Sequence, residues 1–311
     1  MTAARILPPW LALGLTALAG VGGAVQFAAN AELGERIGSA SMAALVNNIV
    51  GSLLILVGLV TLPSLRADLR ALLRTRLPWW TYLGGVGGAL LVASAAYAVP
   101  VTGVAVFAIA QVAGTAFGGL GVDRTGLAPG GRLPVSAPRL GGAALGVGAV
   151  ALAQLGRPVG DLVVGFVALA VVAGVGIALQ SALNGRVAAA SAPLAATMGN
   201  FAVANASLLA FAAATGAFTS SWPSRWPREW YLYVGGVFGL CTVAVLVVAV
   251  RAVGVLRTNL ALVGGQLGGA VVVDAVLPGR ADPSLAVVLG VVLTVVAVSL
   301  AGWRRTPGAG G

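Results

Sequence analysis

The sequence predicts an all-α membrane protein with ten transmembrane helices in two inverted five-helix repeats. Three observations lead there. Only 8% of the 311 residues are charged and 59% are hydrophobic, against roughly 25% charged in soluble domains. The apolar residues come in blocks of roughly 20, the length that crosses a hydrocarbon core about 30 Å thick at about 1.5 Å per residue. And GVGGAVQFAAN, at Gly20–Asn30, returns as GVGIALQSALN at Gly174–Asn184, 154 positions later.

The ten blocks lie at 9–30, 40–62, 79–99, 101–122, 139–156, 162–183, 193–214, 230–250, 253–274 and 284–302. The first follows Arg5 and resembles a signal-peptide core, but it is too long for one and its Gly20–Asn30 segment recurs deep in the chain. It is therefore read as a span. The third and fourth blocks are nearly continuous and are expected to break at Pro100; the eighth and ninth, around Arg251. All seven tryptophans fall at expected block ends: Trp10, Trp79, Trp80, Trp222, Trp226, Trp230 and Trp303. Amphipathic rings anchor there, at the headgroups. The 46 glycines suit membrane helices that pack closely.

Ten spans put both termini on one side. Of the 18 arginines, 13 fall on that side and 5 on the other. The positive-inside rule then places both termini in the cytoplasm. A net charge of +10 also invites a nucleic-acid reading. The arginines sit in short loops between apolar blocks, so orientation is the better account, and the bilayer rather than nucleic acid is the expected partner. Cys241, the one cysteine, lies in an apolar block and is expected to be a small buried hydrophobe. With no histidine and no cysteine cluster, no metal or cofactor site is expected. No G-x-x-x-x-G-K-[ST] run is present, so ATP-driven transport by this chain is not expected.

The repeat extends beyond its first segment. SASMAALVNN (Ser39–Asn48) aligns with SAPLAATMGN (Ser191–Asn200), and WWTYLGGVGG (Trp79–Gly88) with WYLYVGGVFG (Trp230–Gly239). At that same 151-residue offset Gly103, Gly114, Gly118 and Asp123 meet Gly254, Gly265, Gly269 and Asp274. The expected units are 1–156 and 157–311. Five spans per unit is odd, so the second unit enters the membrane from the opposite side. Secondary transporters recurrently use inverted repeats of this kind, with the substrate site between the halves near the midplane.

These residues resemble the drug/metabolite transporter superfamily, specifically its YdcZ-like branch of inner-membrane exporters. The resemblance rests on G-x-x-x-Q-x-x-x-N in the first span of each half and on GQLGGAVVVD (Gly265–Asp274), where an Asp follows the Gln by eight residues. The first half departs from it, with Thr115 where the Gln is expected in GTAFGGLGVD (Gly114–Asp123), but keeps D-x-x-G-L. The resemblance implies a multi-pass transporter of the bacterial inner membrane. Both units lie in one chain, so a monomer suffices, with a homodimer as the alternative.

Polar residues inside apolar blocks are the candidate site. Gln26, Asn30 and Gly22 share a helix face, and Gln180, Asn184 and Gly176 repeat it. Asn47, Asn48, Asn200 and Asn205 lie in the second spans, with Asn48 and Asn200 aligned; Gln111 and Gln266 lie in the fourth spans without aligning. Such amides line a pathway or bond helix to helix, a contribution of about 0.6 kcal/mol on average. Asp123, Asp274 and Glu32 are candidates for gating or proton coupling; the alternative for the two Asp is a hydrated loop-edge carboxylate near an arginine. Arg257, in the ninth span, either binds an anionic group or snorkels to the surface.

No carboxylate falls in the middle of a span. Such carboxylates carry proton relays and the recognition of cationic drugs, so a midplane site of amides suits a neutral or zwitterionic solute. The expected function is secondary transport, in the export direction, of a small metabolite or drug-like molecule by alternating access, with proton or sodium coupling left open. The alternatives are a channel or lipid scramblase and a non-transporting membrane partner or sensor. An enzyme is not expected, for want of catalytic side chains inside the spans.

Overall fold

The computed structural model describes residues 8–127, 132, 137–153, 155, 161–219, 222–253, 255–276 and 284–302. The described residues form helices joined by turns and short loops, with no strand among them: α1 (Pro9–Ile37), α2 (Ala40–Thr61), α3 (Pro63–Arg74), α4 (Gly84–Thr102), α5 (Val104–Thr125), α6 (Ala137–Ala153), α7 (Asp161–Ala190), α8 (Pro193–Ala214), α9 (Gly235–Val253), α10 (Val255–Val276) and α11 (Leu285–Gly302). Short 3₁₀ turns at Trp79–Leu83 and Trp230–Tyr233 lead into α4 and α9.

Each of the ten expected blocks falls on a helix. Six helices among the described residues are long and apolar enough to cross a membrane: Pro9–Ile37, Ala40–Thr61, Trp79–Thr102, Val104–Val122, Val163–Ala190 and Leu194–Ala214. Four shorter apolar stretches accompany them, at Leu140–Ala153, Gly235–Leu246, Ala261–Val276 and Leu285–Ala297.

Several expectations are corrected. The first span continues to Ile37 and the sixth to Ala190, because helical hydrogen bonding carries on past the apolar core into charged residues. The α1 helix stops where Gly38 takes a left-handed φ of 69° and its N–H turns back to the last carbonyls. Pro100 does not break the third and fourth spans. It sits in the last turn of α4, and the break comes at Gly103, whose φ of 80° favours glycine. Arg251 does not break the eighth block either: it lies inside α9, which runs to Val253. An unexpected amphipathic helix, α3, fills the arginine-rich loop and packs on α8. Cys241 is exposed, not buried. The described tryptophans are exposed, as headgroup anchors are.

The halves interlock rather than stand side by side. The α1 helix packs on α9 and α10, and α7 packs on α4 and α5; α6 pairs with α11, and α2 with α8. Glycines set these approaches. A Cβ at Gly20 would overlap the carbonyl of Leu262 on α10, and one at Gly174 the carbonyl of Gln111 on α5. A Cβ at Gly265 would overlap the Ala17 carbonyl, and one at Gly114 the Val171 carbonyl. Every contact in one set maps onto the other at offsets of 154 residues in α1/α7 and 151 in α5/α10.

Candidate functional site

The facing sides of α1, α2, α4, α5, α7, α8, α9 and α10 enclose a cavity of about 710 Å³. Among the described residues no charged side chain lines it. Its polar wall is Gln26, Asn47, Asn48, Gln111, Gln180, Ser181, Asn184, Thr197, Asn200, Thr242 and Gln266, with Phe27 and Phe201 among the apolar groups. The structure thus brings Gln26, Gln180, Asn184, Asn48, Asn200 and Gln266 to one space. Gly22 and Gly176 lie outside that lining: Gly22 packs against the Phe238 ring, and Gly176 against Gly87 and Leu90. Asn30 is buried just beyond the wall.

Most of the amides are spent on one another. Asn184 Nδ2 donates to Asn200 Oδ1 at 2.9 Å. Asn48 Nδ2 donates to Asn205 Oδ1 at 2.8 Å, and Asn205 Nδ2 to Ser52 Oγ at 2.6 Å, which ties α2 to α8. Gln266 Nε2 reaches Gln111 Oε1 at 3.3 Å, so these two residues meet across the halves although they do not align. The aligned pair in the second spans also needs correcting. Gly85 packs on the carbonyl of Asn200, and its equivalent Gly236 on the carbonyl of Asn47. The structural counterpart of Asn200 is therefore Asn47, not Asn48.

The cavity reaches one end of the bundle and not the other. Gly185 and Ala188 of α7 line it, as do Ala196 and Thr197 of α8. Their counterparts Ala31, Gly34, Ala43 and Ala44, at offsets of 154 and 153, are buried where the α1–α2 hairpin closes. Gly34 permits that closure: a Cβ there would come 3.2 Å from the Ala40 backbone, and the counterpart of Gly34 is Ala188.

Charged residues mark the closed end. Arg36 donates from Nε to Glu32 at 2.7 Å, from Nη1 to Glu229 at 2.8 Å and from Nη2 to the Tyr231 hydroxyl at 3.3 Å. This ties the end of α1 to the turn before α9. The Glu229 carboxyl is held below its ordinary pKa, first by its own backbone N–H; desolvation opposes this, and the Arg36 charge and hydrogen bond add to the lowering. At the other end Arg186 stands where Glu32 would be. It donates to the carbonyls of Leu127 at 2.6 Å and Gly126 at 3.2 Å, at the end of α5, and lies over the Trp80 ring.

Asp274 is buried near the end of α10, and its carboxylate accepts from Val104 N at 2.9 Å and Ala105 N at 2.8 Å. Both N–H groups belong to the buried first turn of α5, which has no helical partner for them. Asp123 and Arg257 fall within α5 and α10, and their side chains lie outside the described residues.

A family model described as "Putative inner membrane exporter, YdcZ" matches residues 11–152 and 165–300. The chain belongs to this family. The two matched segments are consistent with two fused YdcZ units, and the family is one of exporters rather than of enzymes. Its name and the apolar helices together make the chain a multi-pass protein of the inner membrane. No curated protein matches the chain. A solved structure described only as "Crystal structure of protein" is similar in fold, with a TM-score of 0.54 and 21% identity over 92% of this chain and 96% of the other.

The repeat and the family motif pointed to Gln26, Asn30, Gln180 and Asn184. Sequence reasoning missed the cluster of Arg36, Glu229 and Tyr231, because its members are separated by nearly the whole chain and no local pattern joins them.

Proposed function

We propose that this YdcZ-family chain is a secondary transporter that exports a small metabolite or drug-like molecule by alternating access of the central cavity. Its two units act as inverted five-helix repeats, with both termini in the cytoplasm. The observation that carries the reading is the one-sided cavity between matching halves. Equivalent helices make equivalent contacts, yet Gly185 and Ala188 line the space half-buried while Ala31 and Gly34 are buried. Two near-equal halves with one end open suit a protein that exchanges the two arrangements. The open end adjoins α3 and its arginines, so the state described is inward-facing under the positive-inside orientation.

The bilayer and a small solute are the partners of this reading, and a single chain suffices for it. Proton or sodium is the candidate coupling ion, and nucleic acid has no place in it. The test begins with a thermal-shift screen of purified protein against metabolites and antimicrobials. A ligand at 100 times its Kd adds about 2.7 kcal/mol of stability. Hits are then assayed for counterflow in proteoliposomes. Uptake accelerated by solute on the far side supports alternating access. Saturable flux without that acceleration means a channel, and no flux of any hit means a binding or sensing role.

A further inference from the structure

We propose that the cavity selects an uncharged solute whose polar edge carries both a hydrogen-bond donor and an acceptor, as a carboxamide does, and that Gln26 and Gln180 read that edge. The inference rests on the reading of the cavity as a substrate site.

The first ground is charge. Among the described residues no ionisable side chain lines the cavity, and the described charged groups around it are occupied elsewhere. Arg186 serves the end of α5, Asp274 the start of α5, and Arg36 two glutamates at the closed end. A solute with a net charge would lose hydration on occlusion and meet no opposite charge. Anions have a further obstacle. Helix N-termini attract them, but the first glycines of α4 and α9 are covered by carboxamide oxygens: Asn184 Oδ1 at Gly84, and Asn47 Oδ1 at Gly235.

The second ground is which amides remain unspent. Asn184, Asn48, Gln111 and Gln266 have side-chain hydrogen bonds. Gln26, Gln180 and Asn47 make none among the described residues, and Gln180 Oε1 is a buried acceptor with no donor, whereas the Asn47 oxygen is turned onto the start of α9 at Gly235. Gln26 and Gln180 are counterparts at an offset of 154, and each lies over a glycine of the opposite half. The Gln26 amide is 3.1–3.3 Å from a Cβ built on Gly239, and the Gln180 amide is 3.2–3.3 Å from one on Gly88. Two unpaired carboxamides, one from each half, thus flank the same space. Each offers two donors and an acceptor, and the complement of a carboxamide edge is another donor–acceptor edge. Phe27 and Phe201 supply apolar faces in the same wall for a ring that carries it.

The test uses three probes on one ring: nicotinamide (uncharged), nicotinate (anionic) and 1-methylnicotinamide (cationic). Binding to the purified full-length chain is measured by calorimetry. Nicotinamide should bind at least about tenfold more tightly than either charged analogue. Gln26→Leu and Gln180→Leu should each weaken it about tenfold, the loss expected of one hydrogen bond. The ligand-free melting temperature of each variant checks the fold. Gln180→Glu, which keeps the shape, should turn the preference toward 1-methylnicotinamide. A charged analogue that binds wild-type protein as tightly as nicotinamide overturns the inference. So does unchanged nicotinamide affinity in both Leu variants, or no saturable binding of nicotinamide at millimolar concentration. Counterflow is scored separately: the stated preference without counterflow removes the transporter reading and leaves the inference, whereas counterflow of the cation alone does the reverse.

Discussion

Asn184 donates to Asn200 across the α7–α8 hairpin at 2.9 Å, while the counterpart atoms of the α1–α2 hairpin, Asn30 Nδ2 and Asn47 Oδ1, are both buried without a partner. One hairpin holds its amide pair and borders the open end of the cavity; the other has lost the pair and closes the opposite end. If the cycle exchanges the halves, the bond exchanges too. Removing Asn184 then penalises the state described, and removing Asn30 penalises its alternative. With Cys241→Ser as background, a cysteine at Ala188 should react with a polar maleimide at least about tenfold faster than one at Ala44, since a minor state is commonly populated at 10% or less. Asn184→Ala should shrink that ratio and Asn30→Ala should enlarge it. Equal shifts in the same direction would remove the exchange.

The Arg36 cluster should act as a latch on the closed end. Its side chains are more than a third exposed, at 35%, 37% and 43% for Arg36, Glu32 and Glu229, so its contribution is salt-screened and modest. Between two near-equal states, a modest bias still moves populations. Glu229→Gln or Arg36→Ala should raise labelling of a cysteine at Ala44, and high salt should act in the same direction. The folded pKa of Glu229 is depressed. Its contribution to closure is therefore present above the ordinary carboxylate range and lost as pH falls through the lowered value. Labelling at Ala44 should rise on acidification in wild type and be flatter with pH in Glu229→Gln. An identical pH profile in both would exclude Glu229 as the titrating group.

What the sequence made legible follows from the range of each interaction. Span existence depends on apolar composition over about 20 residues, and every block landed on a helix. Helix ends depend on hydrogen bonding, not hydropathy, so Glu32, Glu35 and Arg36 hid the last turns of α1. Helix α3 was hidden because Leu65, Leu69 and Leu72 recur among arginines at a spacing no long apolar window detects. The repeat led to the amide stripe but misregistered the second spans: one fewer residue separates Asn184 from Asn200 than Asn30 from Asn47. The matching Ser39 and Ser191 strings obscured that difference. The role of Asp274 was illegible because its partners lie 170 and 169 residues away.

The close crossing of α1 and α10 gives a packing test with an internal control. A Cβ at Gly20 would overlap the backbone of α10, including the Leu262 carbonyl, whereas one at Gly14 meets nothing within 4 Å. Gly20→Ala should destabilise by about 1–3 kcal/mol, the usual cost of overpacking. Gly14→Ala should be neutral or stabilising by up to about 1 kcal/mol through helix propensity. Both are read from urea or thermal unfolding in detergent. Equal effects would mean that α1 does not approach α10 as described.

Asp274 ties the two halves together, and its substitution separates structure from coupling. Its carboxylate accepts from Val104 N and Ala105 N, and a Cβ at Gly103 would sit only 3.1 Å from Oδ2. Asp274→Ala strips the buried first turn of α5 of its acceptor and should cost about 2–4 kcal/mol, from lost charge-assisted bonds and two orphaned donors. Asp274→Asn keeps one oxygen acceptor and should cost about half as much. If the carboxylate only caps α5, transport by Asp274→Asn in proteoliposomes should scale with folded protein and keep the wild-type dependence on pH. If the residue also carries a proton, Asp274→Asn should fold yet lose proton-driven accumulation while retaining counterflow. Comparing accumulation with counterflow in that one variant decides between the two roles.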